Sequence, residues 1–239
     1  MRILALDTAT ESCSTALLID GRCIAQETEL ERGHAERILI MIDAVLAEAG
    51  VKLAGLDAIA FGRGPGSFTG VRLAASVTQG LAFGAGLGVV PVSDLRAVAQ
   101  RAFELSSTMT RALVCNDARM GEVYWACYER GSDGLAGAVG DERVGKPASV
   151  VLPASWSSGE GSASSVYAVG RGFVAHPELR SIISVESVGA CQRLLPRAVE
   201  IAMLAAPEVA KGRLAGPEAA IPVYLRDDVA RVAQPKSSN

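Results

Sequence analysis

Histidine is scarce in this sequence, and cysteine is present only as a scattered set. Of 239 residues two are histidines, and His176 lies before a proline, in a different segment from His34. A zinc peptidase needs two histidines on one helix face, as in H-E-x-x-H, so the spacing excludes that site. The five cysteines form no C-x-x-C pair, which is typical of buried thiols in a reducing compartment. We therefore predict no metal, no cofactor and no disulfide framework.

The chain also lacks a basic surplus and a long apolar run. Its formal net charge is −3, whereas free-standing nucleic-acid-binding proteins are usually basic, so we do not expect it to hold RNA tightly alone. The longest apolar stretch, residues 81–92, is too short and too rich in glycine to cross a bilayer. Asp7 interrupts the apolar run at the N-terminus, so we expect no signal peptide. These features predict a cytoplasmic protein without a membrane partner.

The order of apolar runs and turn signals predicts an α/β protein. Three antiparallel strands come first, with an Asp20-Gly21 hairpin turn between the second and the third. Helices and strands then alternate, which is the order of a ribonuclease H-like layer: a mixed sheet with flanking helices. The predicted strands are residues 3–6, 14–19, 22–29, 56–61 and 88–92, and the predicted helices are residues 34–49, 70–84 and 94–105.

A second copy of the opening pattern predicts two related lobes. The stretches ILALDTATESCSTALL and LVCNDARMGEVYWACY each place an aspartate, Asp7 or Asp117, where a strand ends and a hairpin begins. The stretch SSTMT between them has the character of a hinge. We predict lobes at residues 1–105 and 106–239, with a late helix at residues 195–206. The final PVYLRDDVA stretch is predicted to return to the first lobe.

The glycine-rich stretch GRGPGSFTGVR joins the fourth predicted strand to a helix. Free amides at a helix N-terminus attract phosphate, but this loop matches neither G-x-x-x-x-G-K-[ST] nor G-x-G-x-x-G. A tight structural turn, capped by Ser67 or Thr69, is the alternative. Asp7 can likewise meet phosphate and metal, as in actin-like ATPases, or simply cap its own turn. Both interpretations stay open, and the candidate nucleotide cleft comprises Asp7, Thr8, Thr10, Gly64, Gly66 and Ser67.

Two helices carry more apolar surface than a single buried face needs. Apolar residues of the first helix cover an arc of roughly 160°, and apolar and small residues of the second cover roughly 220°. Most of the remaining surface of the first helix is also apolar, through Ile40, Ala44 and Ala47. We predict that both helices are covered on two sides, so that something besides the sheet packs against them.

Several of these stretches together resemble one family. DTATESCSTALL, GHAERILIMI, GRGPGSFTGVR, DARMGEVYWA and PVYLRDDVA are similar to the TsaB (YeaZ) family, over nearly the whole chain. That family supplies a partner subunit of the bacterial complex that makes threonylcarbamoyladenosine in tRNA. The resemblance implies two actin-like (ASKHA) lobes without chemistry of their own. The catalytic relative TsaD carries a metal-binding H-x-x-x-H, whereas His34 here is followed by Ile38.

The resemblance also implies a function and partners. The expected role is a non-catalytic scaffold that pairs with TsaD while TsaD transfers threonylcarbamoyl to N6 of the adenosine beside the anticodon. The ATPase TsaE is expected to dock on the complex, which presents the tRNA, and a homodimer is expected through the same helices. From this we predict a partner interface on the two apolar helices, at Ile38, Met41, Ile42, Val45, Val71, Ala74, Ala75, Thr78 and Ala82.

Two enzyme functions compete with the scaffold. An ATPase or kinase would use Asp7 and the loop at residues 64–69. A cytosolic peptidase would need two nearby histidines or a Ser-His pair, and Thr69 replaces the second glycine of a G-x-S-x-G elbow around Ser67. The residues favour neither enzyme over a protein without catalytic groups.

Overall fold

Two five-stranded mixed sheets with the same strand order form the fold. The computed structural model describes residues 1–157, 165–183, 185–187 and 189–226. The first sheet has the order β3-β2-β1-β4-β5, and the second, read from its far edge, has the order β8-β7-β6-β9-β10. In each sheet an antiparallel hairpin pair lies beside parallel strands. The predicted α/β class, with two ribonuclease H-like lobes, is therefore confirmed.

The strands of the first sheet are β1 (Arg2–Asp7), β2 (Ser12–Ile19), β3 (Arg22–Glu29), β4 (Ala58–Gly62) and β5 (Gly88–Val92), and the helices of this part are α1 (His34–Ala49), α2 (Phe68–Ala85) and α3 (Asp94–Leu105). The strands of the second sheet are β6 (Arg111–Asp117), β7 (Val123–Arg130), β8 (Ala136–Gly145), β9 (Val166–Val169) and β10 (Glu186–Ser187). The later helices are α4 (Ala154–Ser157), α5 (Gly172–Ala175), α6 (Leu179–Ile182) and α7 (Ala198–Ala210).

Alternating side chains of the first sheet enter two separate cores. Leu4 and Leu6 of β1 lie on one face, where α1 and α2 cover them. Ile3 and Ala5 lie on the opposite face, where α7 and part of α3 cover them. Because successive residues of a strand point to opposite faces, a strand segment buried on both faces must be apolar throughout, as β1 is from Ile3 to Leu6.

The second sheet is also covered on both faces. One face packs against α3, which contributes Leu95, Val98 and Phe103. The other packs against Trp156 of α4 and Phe173 of α5. Since α3 also contacts α7 and places Ala97 in a core of the first sheet, it packs against both sheets.

Most element bounds follow the sequence prediction, and the Asp20-Gly21 turn has positive φ at both residues, as a hairpin of this kind requires. The late helix differs from the prediction. It begins at Ala198 and continues through Pro207 to Ala210, whereas we expected an end before the proline. It also packs on the first sheet, although it belongs in sequence to the predicted second lobe at residues 106–239.

The chain does return to the first sheet after α7. The amide of Val223 donates to the carbonyl of Arg63 at 2.8 Å. The Tyr224 hydroxyl accepts from Nε of Arg72 at 2.7 Å, beside the first turn of α2. The last residues of the PVYLRDDVA stretch lie outside the described residues. Within the described part of the chain, no helix is long and apolar enough to cross a membrane.

Candidate functional site

The glycine-rich loop before α2 is fastened to the turn after β1. The amide of Ser67 donates to the carbonyl of Ala9 at 2.7 Å, and Thr8 Oγ1 donates to the carbonyl of Gly70 at 2.7 Å. Ser67 Oγ accepts from the amide of Gly70 at 3.1 Å, so Ser67 is the helix cap. A Cβ at position 66 would overlap the backbone of Ala9, which explains the glycine there. This geometry favours the structural turn over a phosphate loop.

Asp7 and Asp94 form a buried carboxyl pair behind this loop. Asp7 Oδ1 accepts from the amide of Ala9 at 3.0 Å, and Asp94 Oδ2 accepts from the amide of Gly64. The second oxygen of each carboxyl has no partner outside the pair. A Cβ on Gly62 would overlap both aspartates, so only glycine leaves room for them. Asp7 thus caps its own turn, and Asp94 holds the glycine-rich loop.

Burial is the main electrostatic influence on the pair. It raises the pKa of Asp7 to about 6, against the weaker lowering effect of hydrogen bonds from nearby amides and from Asp94. Burial, and then the charge of Asp7, raise the pKa of Asp94 well above its ordinary value. Two carboxylates this close cannot both be charged without a large cost, so one proton is shared between them.

This pair predicts a stability that falls with pH. Because the pKa of Asp7 is higher in the folded protein, its contribution is complete below the ordinary value of 3.8 and is lost as the pH rises through about 6. We expect Asp7→Asn, which stays neutral, to gain roughly 1–3 kcal/mol relative to wild type between about pH 5 and pH 8. Denaturant unfolding across this range measures the difference.

The matched control for this experiment is Asp43→Asn, because Asp43 is exposed on α1. We expect the difference in the free energy of unfolding between this variant and wild type to be the same across the whole pH range. If the wild-type and Asp7→Asn curves stay parallel across the range, the two carboxyls do not share a proton.

The predicted nucleotide cleft is only partly a cleft. Asp7 and Thr8 are buried, and Gly64, Gly66 and Ser67 belong to the fastened loop, so of the six predicted residues Thr10 alone lines the nearby cavity. That cavity of about 450 Å³ lies between the two lobes. Thr10 and Glu11 line it from the first lobe, and residues of β6, α5 and the segment before α7 line it from the second. The nucleotide cleft at these six residues stays a prediction.

His34 makes a structural contact. Its Nε2 lies 2.9 Å from the carbonyl oxygen of Thr10, which joins the start of α1 to the turn between β1 and β2. His176 lies near Asp117, with 3.4 Å between Nε2 and Oδ1. Among the described residues, no group of three or more His, Cys, Asp or Glu could hold a metal ion. The five cysteines, all within the described ranges, are free thiols, and only Cys23 is exposed.

The predicted partner interface on the two helices is wrong in its choice of face. All nine residues are buried within the monomer. Most of them pack in the core between α1, α2 and the first sheet. Side chains already covered by the sheet cannot also contact a partner. The residues that this correction removes from the predicted interface are Ile38, Met41, Ile42, Val45, Val71, Ala74, Ala75, Thr78 and Ala82.

The opposite faces of the same helices are exposed, and they carry apolar side chains among polar ones such as Asp43. On α1, Ile40 is 60% exposed and Leu39 is 50% exposed, and on α2, Phe83 is 61% exposed. Small residues lie between them, so another backbone can come close. We call this set, together with the half-buried Leu73, the outer surface; it consists of Leu39, Ile40, Ala47, Leu73, Gly80, Phe83 and Gly84.

Three residues that matter in the site escaped sequence reasoning. Asp94 is predicted only as the start of a helix, and its contact with Asp7 depends on the parallel strands β1, β4 and β5 ending at one edge. Asn116 and Arg193 line the cavity without any motif around them. The repeated strand-end pattern could have drawn attention to Asn116, since it immediately precedes Asp117.

Comparisons with known proteins identify close relatives. A sequence model of the family described as TsaD, tRNA N6-adenosine threonylcarbamoyltransferase, matches residues 27–234. A protein of Escherichia coli K12 named tRNA threonylcarbamoyladenosine biosynthesis protein TsaB is 43% identical over 234 residues, 96% of each chain. A protein of the same name from Haemophilus influenzae is 53% identical over 126 residues, 53% of each chain. The solved structure of YeaZ from Pseudomonas aeruginosa superposes with a TM-score of 0.84 at 42% identity, covering 94% of this chain and 99% of that one.

Proposed function

The chain belongs to the TsaB proteins, within the family that the TsaD model describes, and we propose that it is a non-catalytic subunit of tRNA threonylcarbamoyladenosine biosynthesis. The observation that carries the proposal is the 43% identity to the Escherichia coli protein of that name along 96% of both chains. In the proposed role the chain pairs with TsaD and supports its transfer of threonylcarbamoyl to the tRNA adenosine next to the anticodon.

The local geometry supports a role without catalysis. A catalytic carboxylate must reach its substrate, but Asp7 is buried and shares a proton with Asp94. A phosphate loop needs free amides, but those of Gly64 and Ser67 are already bonded within the protein. The same contacts argue against the rival ATPase, which would use Asp7 and this loop.

The outer surface of α1 and α2 is the proposed contact with TsaD. Exposed apolar residues of this kind, grouped around small ones, allow two helices of a partner to pack closely against α1 and α2. The outer surface also suits a homodimer, which would compete with TsaD for the same residues. The ATPase TsaE and the tRNA are proposed to join through the assembled complex.

Reconstituted tRNA modification tests the proposed role. TsaD, TsaE, the threonylcarbamoyl donor and tRNA are supplied throughout, with and without this chain. We expect transfer to stop without the chain, and Asp7→Asn and His34→Ala to support transfer within about twofold of wild type, because neither side chain reaches a substrate.

A different result would identify a catalytic cleft. If Asp7→Asn abolishes transfer while the complex still assembles at wild-type yield, the chain takes part in the chemistry. If transfer proceeds equally well without the chain, the scaffold role is wrong as well.

A further inference from the structure

A second cavity lies beside the outer surface, where α2 ends. Its volume is about 450 Å³, and its apolar wall includes Phe83, Leu87 and Leu214. The segment after α7 is fixed there by two hydrogen bonds: the amide of Val89 donates to the carbonyl of Ala215 at 2.9 Å, and the amide of Ala215 donates back at 3.0 Å. Because Phe83 also belongs to the outer surface, a protein that covers the outer surface also reaches the mouth of this cavity.

The cavity lies at the negative end of a long helix. The last turn of a helix leaves carbonyl groups without partners, and the peptide dipoles add up to a partial negative charge there. In α2 the carbonyl of Ala82 accepts from the amide of Leu87 at 3.0 Å. Within the described part of the chain, no group outside the helix donates to the carbonyls of residues 83–85. The last turn of α2 contains no basic residue either, so this end of the helix lacks the cation that it favours.

A carboxylate beside the cavity has no cationic partner. Glu218 is exposed in the turn at Pro217–Ala219, and its carboxylate lies so close to Gly216, which lines the cavity, that a Cβ on Gly216 would overlap it. Among the described residues, no Lys, Arg or His lies within salt-bridge distance of Glu218. Arg213, the nearest basic residue along the chain, is held by Glu208 through hydrogen bonds of 2.7 and 2.6 Å. The rim of the cavity is therefore negative while its wall is apolar.

We propose that this cavity receives a lysine or arginine side chain of TsaD when TsaD packs on the outer surface. The aliphatic stem lies against Phe83, Leu87 and Leu214, and the charged head reaches Glu218 and the last carbonyls of α2. An apolar side chain in the same place would cover the carboxylate and the carbonyls without pairing them, which is costly. The inference rests on the proposed pairing with TsaD and assigns a place and a residue type to part of that contact.

Titration of purified TsaD with variants of Glu218 tests the charge. We expect Glu218→Gln to weaken pairing about three- to tenfold at low ionic strength, and Glu218→Lys about thirtyfold or more, because a like charge then meets the partner's cation. Both effects should become smaller in about 0.5 M salt, which screens charges at a rim. The matched control is Asp141→Asn, which removes an exposed carboxylate from β8 of the second lobe and should leave the affinity unchanged.

Thiol labelling locates the contact without a change of charge. Cys23 is the exposed cysteine of the chain, so in a Cys23→Ser background Leu214→Cys places a single accessible thiol at the mouth of the cavity. TsaD should slow the reaction of this thiol with a maleimide about tenfold or more, because a covered thiol is not reached by the reagent. Val151→Cys, which is exposed in the second lobe, should react at an unchanged rate.

The outcomes separate this inference from the proposed function. If Gly80→Lys abolishes pairing while Glu218→Lys binds TsaD as tightly as wild type, TsaD uses the outer surface but places no cation in the cavity. The same conclusion follows if Leu214→Cys reacts as fast in the complex as in the free protein. If wild type does not pair with TsaD at all, the inference and the proposed function are both overturned.

Discussion

Val45→Glu is expected to unfold the first lobe. Val45 is fully buried between α1 and the first sheet, in the core that also contains Leu4 and Phe61. A carboxylate there has no partner and must leave water, which costs about 4 kcal/mol or more and approaches the whole stability of a typical domain. Thermal and denaturant unfolding followed by circular dichroism measures the loss.

Ala47→Glu provides the matched control on the same helix. Ala47 is exposed, two residues from Val45, and the new side chain enters water. Its free energy of unfolding should lie within about 0.5 kcal/mol of wild type. If Val45→Glu were as stable as Ala47→Glu, the buried face of α1 would be available to a partner after all, as the sequence pattern alone predicts.

Gly80→Lys is expected to abolish pairing with TsaD without loss of stability. Gly80 lies on the exposed side of α2, and a Cβ there would meet no other atom within 4 Å. Replacing a glycine inside a helix stabilises it by up to about 1 kcal/mol. A long charged side chain among the small residues of the outer surface should nevertheless weaken pairing about a hundredfold or more.

Titration of purified TsaD with each variant measures the effect on pairing. Ile40→Lys, on the neighbouring helix, should weaken pairing to a similar extent. Val151→Lys is the control, since Val151 is equally exposed but belongs to the second lobe. Undiminished affinity of both Gly80→Lys and Ile40→Lys would place the TsaD contact outside the outer surface.

The sequence predicted the elements well because each carries a local signal. The bounds of α1 follow from apolar periodicity and flanking glycines, and those of α3 from the Ser93 cap, whose Oγ accepts from the amide of Arg96. The end of α7 was misplaced because Pro207 is a strong local stop signal. Packing of α7 against the first sheet stabilises the helix beyond that proline.

The candidate site was less predictable because its contacts join distant segments. Asp7 and Asp94 meet only when β1, β4 and β5 align their carboxyl ends, and Asn116 and Arg193 come to line one cavity only through the fold of the second lobe. Neither pair has a characteristic spacing in the sequence. The tertiary structure argues against a phosphate loop because it shows that the amides of Gly64 and Ser67 are bonded within the protein.

The sequence by itself determined the fold class, the paired lobes and the family, because hydrophobic period, turn residues and the repeated Asp7 and Asp117 pattern are local properties of the chain. The tertiary structure decided which side of α1 and α2 remains free. Both sides of these helices carry apolar residues, so periodicity alone cannot show which side the sheet covers. Only the packing of Ile38 and Ala74 against the first sheet leaves Ile40 and Gly80 exposed for a partner.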